Sequence, residues 1–305
     1  MLRRALQAAA RSAAVRAAVE RSRLTRPLVA RFVAGTEVSD ALAVARTITA
    51  DRLVTIDYLG EDVTDRARVD ATVDAYRLLL RRLEDEGLTD RVEVSVKLSA
   101  LGARLPVDGE QIALEAAARI CRAAAAVGTT VTVDMEDHTT TDATLHTVRE
   151  LRREFPWVGA VVQAQLRRTE ADCRELTGPG SRVRLCKGAY DAPASVAYRT
   201  RREVDESFAR CLRILMAGRG VPMVATHDPR LIELARELGR RRGGGYELQM
   251  LYGVRPFAQT ALAAAGEPVW VYVPYGTDWY GYFMRRLAER PANLAFFLRS
   301  LATRG

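Results

Sequence analysis

Short β-rich runs recur along the chain, separated in most cases by longer stretches with apolar positions at helical spacing. The β-like runs are Leu53–Tyr58, Val92–Leu98, Thr129–Asp134, Val158–Ala164, Val183–Cys186, Met223–Thr226, Glu247–Leu251 and Val269–Val273, eight in all. Helical patterns fall at Asp70–Glu86, Gly109–Val127, Thr141–Phe155, Glu203–Ala217 and Arg230–Gly239. Strand, helix, strand at this spacing predicts parallel pairing through crossovers. Eight such units point to a closed α/β barrel rather than an open doubly wound sheet. The first strand is not followed by GxGxxG, and GxxxxGK[ST] is absent from the chain, which disfavours a nicotinamide-type Rossmann site and a P-loop.

The chain opens differently. Residues 1 to about 35 are rich in Ala and Arg, with weak periodicity at Leu2, Leu6, Val15, Val19 and Leu24 and a break near Pro27. The Arg-rich start resembles an organelle transit peptide, but Glu20 lies inside it and no small-residue cleavage signal stands out. A helical arm over residues 1–46, packed on a catalytic barrel over 47–305, is the expectation.

Composition narrows the partners. No run of 18 apolar residues occurs, so no membrane span is expected. Cys121, Cys173, Cys186 and Cys211 show no CxxC spacing, which fits reduced thiols in the cytoplasm. Three histidines without HExxH make a metal site unexpected. The net charge of +8 suits an anionic surface, yet few aromatics interleave with the arginines, so nucleic acid is not expected. Peripheral contact with the inner face of the plasma membrane is the more informative reading of that charge.

In a barrel of this kind, chemistry gathers where the strands end. The strand ends carry Glu61, Lys97, Asp134, Gln163, Arg184 with Lys187, Thr226-His227, Gln249 and Tyr272. Each has a bland counterpart: an Asp after a strand can be a helix cap, Lys187 a surface lysine, His227 a turn residue. Together they present many polar groups to one mouth, and burying them without a partner would be costly. Cations outnumber acids there, so an anionic ligand is implied, a carboxylate or a phosphate. Thr226-His227 ahead of a helix N-terminus suits a pyrophosphate. Near the end, Tyr282, Arg285, Arg286 and Glu289 share one helical face, following a β-like run that stops at a Pro/Gly turn. Two adjacent guanidiniums become tolerable around a carboxylate; the alternative is a solvated charged face. Two other readings remain open on these residues: an aldolase-like barrel with Lys187 as Schiff base, and a basic docking protein for lipid or nucleic acid.

The runs Lys187-Gly188-Ala189-Tyr190, Ala225-Thr226-His227, Glu247 to Gly253, Tyr272-Val273-Pro274-Tyr275-Gly276 and Arg285-Arg286-Leu287-Ala288-Glu289 resemble the proline dehydrogenase family, in its short monofunctional bacterial form. The resemblance covers roughly residues 50 to 300. It implies a distorted (β/α)8, TIM-like barrel holding FAD at its mouth. It implies oxidation of L-proline to Δ1-pyrroline-5-carboxylate by hydride transfer from C5 to flavin N5, with electrons passing to a quinone. This would be the first step of proline catabolism to glutamate, linked to a pyrroline-5-carboxylate dehydrogenase. By the same resemblance Arg285, Arg286 and Lys97 clamp the substrate carboxylate, and Tyr190, Leu251 and Tyr272 wall the ring. Tyr272 at that position favours proline over hydroxyproline. Glu61 resembles a gate acid pairing with Arg285. Asp134 resembles an acid that orients the cations. Arg184, Gln163, Lys187, Gly188, Ala189, Thr226, His227 and Glu289 fall on flavin-binding positions. Cys186 departs from the aliphatic residue usual there, and the basic N-terminal arm departs further.

Overall fold

The computed structural model describes residues 25–288. Eight parallel strands close into a barrel in sequence order: β1 (Leu53–Tyr58), β2 (Val92–Val96), β3 (Val131–Val133), β4 (Gly159–Gln163), β5 (Arg182–Cys186), β6 (Val221–Ala225), β7 (Glu247–Leu251) and β8 (Val269–Tyr275). Among the described residues ten α-helices accompany them: α1 (Arg26–Ala30), α2 (Val38–Ile48), α3 (Arg66–Asp85), α4 (Gly109–Ala126), α5 (Thr141–Glu154), α6 (Thr169–Glu175), α7 (Arg201–Ala217), α8 (Pro229–Arg242), α9 (Pro256–Ala264) and α10 (Trp279–Ala288). The ring closes where Leu53–Tyr58 pairs with Trp270–Tyr275. Among the described residues no helix is long and apolar enough to cross a membrane.

The strands obey a period of two. In β1 and β2 the outward set, Val54, Ile56, Val92, Val94 and Val96, is fully or almost fully buried against Val69, Val73, Leu80, Ile112 and Ile120 of the surrounding helices. The alternate set, Thr55, Asp57, Glu93, Ser95 and Lys97, is polar and also buried: Thr55 bonds Glu93, Lys97 bonds Asp57, and Ser95 bonds Asp134 beyond β3. The helices start on local signals. Asp65 caps α3 by accepting from Arg68 N–H, Thr200 and Glu203 form a capping box on α7, and Asp228 caps α8.

Most strand bounds shift by a residue or two from the sequence reading, and two boundaries bear on the site. β8 does not stop before Pro274 but runs through it to Tyr275. The missing N–H of Pro274 falls on the β7 side, where β7 has already ended, and Ala34 N–H donates to the Pro274 carbonyl at 2.9 Å. The arm boundary expected at 46/47 falls inside α2, whose Ala41, Leu42, Ala45 and Ile48 belong to the barrel's own core. Residues 1–24, most of the expected arm, lie outside the described residues.

The barrel departs from regularity at its last helix. α10 lies over the mouth rather than on the barrel wall. Its Tyr282, Phe283, Met284 and Leu287 are buried in a second core with Leu28, Phe32 and Val33 of the N-terminal segment and Leu59 and Val254 of the rim, next to Leu251 and Tyr272. Each such side chain stabilises the placement by about 1.5–3 kcal/mol. The N-terminal segment is held close: Arg31 Nε donates to Gly253 O at 3.2 Å. Gly253 has φ +71°, and a Cβ there would lie 1.7 Å from the Arg31 carbonyl oxygen, so only glycine fits.

Candidate active site

The inward side chains form a ladder of alternating charge along the barrel axis. At the floor, Arg182 bonds Glu247 at 3.0 Å and Glu93 at 2.9 Å. Glu93 also accepts from Arg184 at 3.2 Å and from the Thr55 hydroxyl at 2.8 Å. Arg184 then reaches Asp134 at 2.7 Å and the Ser95 hydroxyl at 3.0 Å, and donates to the Gln249 side-chain oxygen. At the top, Lys97 donates to Asp57 at 2.5 Å and Asp134 at 3.3 Å. The Tyr272 hydroxyl donates to Asp134 at 2.7 Å and lies 3.2 Å from the Lys97 ammonium.

A buried array of this kind persists because each charge is bonded to its opposite. Burial disfavours the Lys97 ammonium, but Asp57 and Asp134 outweigh it and hold its proton more tightly than usual. Burial would raise Asp134, yet Lys97 and Arg184 keep it below the usual carboxylate range. Asp57, fully buried, is raised by that burial despite Lys97. Tyr272 is pushed well up by burial and then by Asp134, so it remains a phenol donor.

Above the ladder, cations and aromatic rings gather at the mouth. Arg285 on α10 donates through both terminal nitrogens to Glu61 in the β1–α3 loop. Its guanidinium lies 5.5 Å from the Tyr190 ring centre. Arg286 is buried, with its guanidinium 5.1 Å from the Tyr282 ring centre, one helical turn back. Lys97 lies 5.9 Å from the Tyr272 ring centre and feels the field of Glu61 and Tyr190. Leu251 pairs in register with Tyr272. Arg285 holds Glu61 below its ordinary value against the opposing effect of burial. Lys97, Glu61, Tyr190, Tyr272, Leu251 and Arg285 therefore meet at one rim; Arg286 lies on the helix over it, and Glu289 is outside the described residues.

The other half of the mouth offers a cradle. Gly188 has φ +105°, and a Cβ there would come 2.5 Å from Gln165 Cδ. Gln163 donates to the Glu136 carbonyl, and His227 Nε2 accepts from Leu251 N–H at 3.2 Å. Thr226 is buried beside them and Ala189 is partly buried. Lys187 lies between Asp205 and, at 3.4 Å, Asp228, with Arg230 and Arg201 on the same carboxylates. The α8 N-terminus offers fewer free N–H groups than the sequence suggested. Pro229 has none, Arg230 N–H goes to the Asp228 carboxylate, and Ile232 N–H goes to the Asp228 carbonyl. Side-chain cations thus supply most of the positive charge there. Donor-rich side chains, a glycine backbone and a cation cluster are a chemistry that fits a dinucleotide with a pyrophosphate.

Several residues that matter were not singled out from sequence: Asp57, Glu93, Ser95 and Asp205; Gln249 was named at a strand end without a role. The alternation Thr55, Asp57 and Glu93, Ser95, Lys97 between Val and Ile was a usable signal for the first three. Asp205 sits in the first turns of a helix, where nothing local marks it.

Comparison with known proteins agrees with the geometry. The family model described as proline dehydrogenase matches residues 42–299. Proline dehydrogenase 1 of Bacillus subtilis subsp. natto is 40% identical over 210 residues, 68% of each chain. Proline dehydrogenase of Deinococcus radiodurans is 41% identical over 212 residues, again 68% of each. Among solved structures, proline utilization A from Bdellovibrio bacteriovorus, inactivated by N-propargylglycine, superposes with a TM-score of 0.80 at 24% identity, covering 87% of this chain and 33% of that one. A Bradyrhizobium japonicum proline utilization A variant gives 0.75 at 22%, covering 90% and 32%. This chain spans about a third of those larger proteins, and at these identities they speak for the barrel alone. On the matched family model and the 40%-identical relatives, this chain belongs to the proline dehydrogenase family and is an enzyme that oxidises proline.

Proposed function

We propose that the chain oxidises L-proline to Δ1-pyrroline-5-carboxylate with FAD as cofactor. The observation that carries this reading is that Lys97 and Arg285 both act on Glu61, with the Tyr272 ring beside the first and the Tyr190 ring beside the second, a cationic and aromatic setting that suits a cyclic amino-acid anion. Arg285 and Arg286 on α10 and Lys97 on the β2 exit would hold the carboxylate, each charge-assisted bond contributing roughly 1.5–3 kcal/mol. Tyr190, Leu251 and Tyr272 would wall the ring and exclude water. Fixing one ring carbon in a single orientation is the main catalytic contribution of such a clamp. The same cations disfavour a protonated ring nitrogen, whose lone pair is needed for the C=N bond of the product.

Arg184, Gln163, Lys187, Gly188, Ala189, Thr226, His227 and Glu289, with Asp134 behind them, are the residues assigned to the cofactor. Bound FAD supplies the two-electron acceptor for the C5 hydrogen. Arg184, fixed by four ladder partners, would carry positive charge toward that site without reorganising. A quinone as onward acceptor, a cytoplasmic site with peripheral membrane contact, a pyrroline-5-carboxylate dehydrogenase downstream, and an N-terminal arm that ends before α2 rather than at residue 46 belong to the same proposal. They rest on family resemblance and on the net charge of +8.

The aldolase-like alternative loses support. Lys187 lies between two carboxylates, unlike the apolar or cation-flanked surroundings that free an amine for attack. The deciding experiment is an anaerobic absorbance spectrum of the full chain reconstituted with FAD. The flavin band should bleach on adding L-proline; a flavin band that proline leaves unchanged would reject the assignment.

A further inference from the structure

Oxidation needs the ring nitrogen without its extra proton, whereas a free cyclic amino acid carries that proton at neutral pH. The mouth's acids and bases differ in their freedom to take it. Lys97 is held as an ammonium by Asp57 and Asp134. Asp134 already accepts from Ser95, Arg184, Lys97 and Tyr272. Asp57 is fully buried beside Lys97. Glu61 is occupied by both terminal nitrogens of Arg285. Burial keeps Tyr190 and Tyr272 as phenols.

Glu136, on the segment leaving β3, stands apart. It is 6% exposed, and among the described residues its carboxyl is paired with no cation. Its partners are the Ser99 N–H, at 2.9 Å, and the Ser99 hydroxyl. Ser99 lies two residues beyond Lys97 at the β2 exit, and Lys97, Glu61 of the β1–α3 loop and Tyr190 of the β5–α7 loop are the charged and titratable groups whose fields couple to Glu136. Asp134 and Asp137 flank it on its own segment, and neutral Gln163 of β4 donates to its carbonyl. Those neighbours are among the residues that gather at the mouth.

We propose that Glu136 is the group that accepts the proton from the substrate's ring nitrogen, an inference that rests on the proline-oxidising reading above. The N–H bond breaks with its electron pair staying on nitrogen, and the proton passes to the Glu136 carboxylate. That lone pair would then form the C=N bond, with the C5 hydrogen and two electrons leaving to the two-electron acceptor that bound FAD would supply. Burial raises the Glu136 carboxyl above its ordinary range, partly offset by the Ser99 bonds and Lys97, which makes it a better base near neutrality.

The test uses the FAD-reconstituted full chain and Glu136→Gln, which keeps an oxygen for the Ser99 N–H. Two quantities are measured: the anaerobic bleaching rate with L-proline from pH 6.5 to 10.5, and calorimetric affinity for the analogue with oxygen in place of the ring nitrogen. The variant's rate should fall about 100-fold at pH 7 and recover as the pH approaches that at which proline loses the proton unaided, with analogue affinity unchanged within about 2-fold. Glu136→Asp should regain at least about 10-fold over the Gln variant at pH 7. If the Gln variant does not fold, a displaced acidic limb in the Asp variant's pH profile supports the role, and an unchanged limb rejects it. A Gln variant within about 3-fold of wild type, a deficit equal at every pH, or a parallel loss of analogue affinity would overturn it. A wild-type chain that proline does not bleach would instead reject the parent reading.

Discussion

Arg285 and Glu61 grip each other across the mouth, both terminal guanidinium nitrogens on both carboxylate oxygens, though 224 residues separate them. The pair ties the helix over the site to the loop leaving the first strand. Both side chains stay partly exposed, 24% and 30%, so the bond can open to solvent and is sensitive to salt. Glu61→Ala should raise the proline KM about 3- to 10-fold with a smaller change in kcat, the scale of a partly exposed ion pair. Steady-state kinetics across ionic strength check this: wild-type KM should climb with salt, and the variant's should stay flat.

The clamp residues should show larger effects. Arg285→Ala or Arg286→Ala removes a cation proposed to hold the substrate carboxylate, and the loss should be about 3–5 kcal/mol in kcat/KM if that carboxylate is left buried and unpaired. Lysine at either position should recover only part, because it keeps the charge but not the fork. Unchanged proline kinetics in both alanine variants would remove the clamp.

Lys97 should matter to stability as well as to binding. Lys97→Met leaves Asp57 and Asp134 facing each other without the ammonium between them. Urea unfolding should show a loss of about 3–5 kcal/mol, and adding Asp57→Asn should restore part of it. Additive losses in the double variant would show that the two do not act as a pair.

Tyr272 plays two parts, a ring at the mouth and a phenol bonded to Asp134. Tyr272→Ser should weaken proline use more than hydroxyproline use, since the space opened by the missing ring admits a hydroxyl. Competition assays with the two substrates report the ratio; equal losses would mean that the ring is not the discriminating wall.

Glu247 at the floor supplies a pH dependence. Burial, with Glu93 adding to it, pushes its carboxyl up to about 7 against the pull of Arg182. The folded chain thus binds a proton that the unfolded chain has released, so this group's contribution is present at pH 4–5 and is lost as pH rises through about 7. With one pKa unit equal to about 1.36 kcal/mol, the change is at most about 3 kcal/mol. Glu247→Gln should flatten this fall in urea unfolding between pH 5.5 and 8. An unaltered pH slope would mean that Arg182 keeps the group ionised throughout.

Much of the architecture was readable because it is locally written. Val92, Val94 and Val96 alternating with Glu93, Ser95 and Lys97 report a strand whatever surrounds it, and Asp65 or Thr200 with Glu203 marks a helix start within one turn. Arg285 and Arg286 were legible as a pair because helical spacing is local too. The course of β8 through Pro274 was not, since what permits it is Ala34 arriving from the other end of the chain.

The chain alone determined eight parallel strands, their order, and a mouth rich in cations, because periodicity and strand-end residue types follow from backbone geometry a few residues at a time. Only the tertiary structure decided which charges neutralise which. Lys97 meets Asp57 across 40 residues, Tyr272 meets Asp134 across 138, and Phe283 joins Phe32 in one buried cluster. Barrel closure sets these encounters, and the low-dielectric interior then makes each of them count in the ionisation of the site.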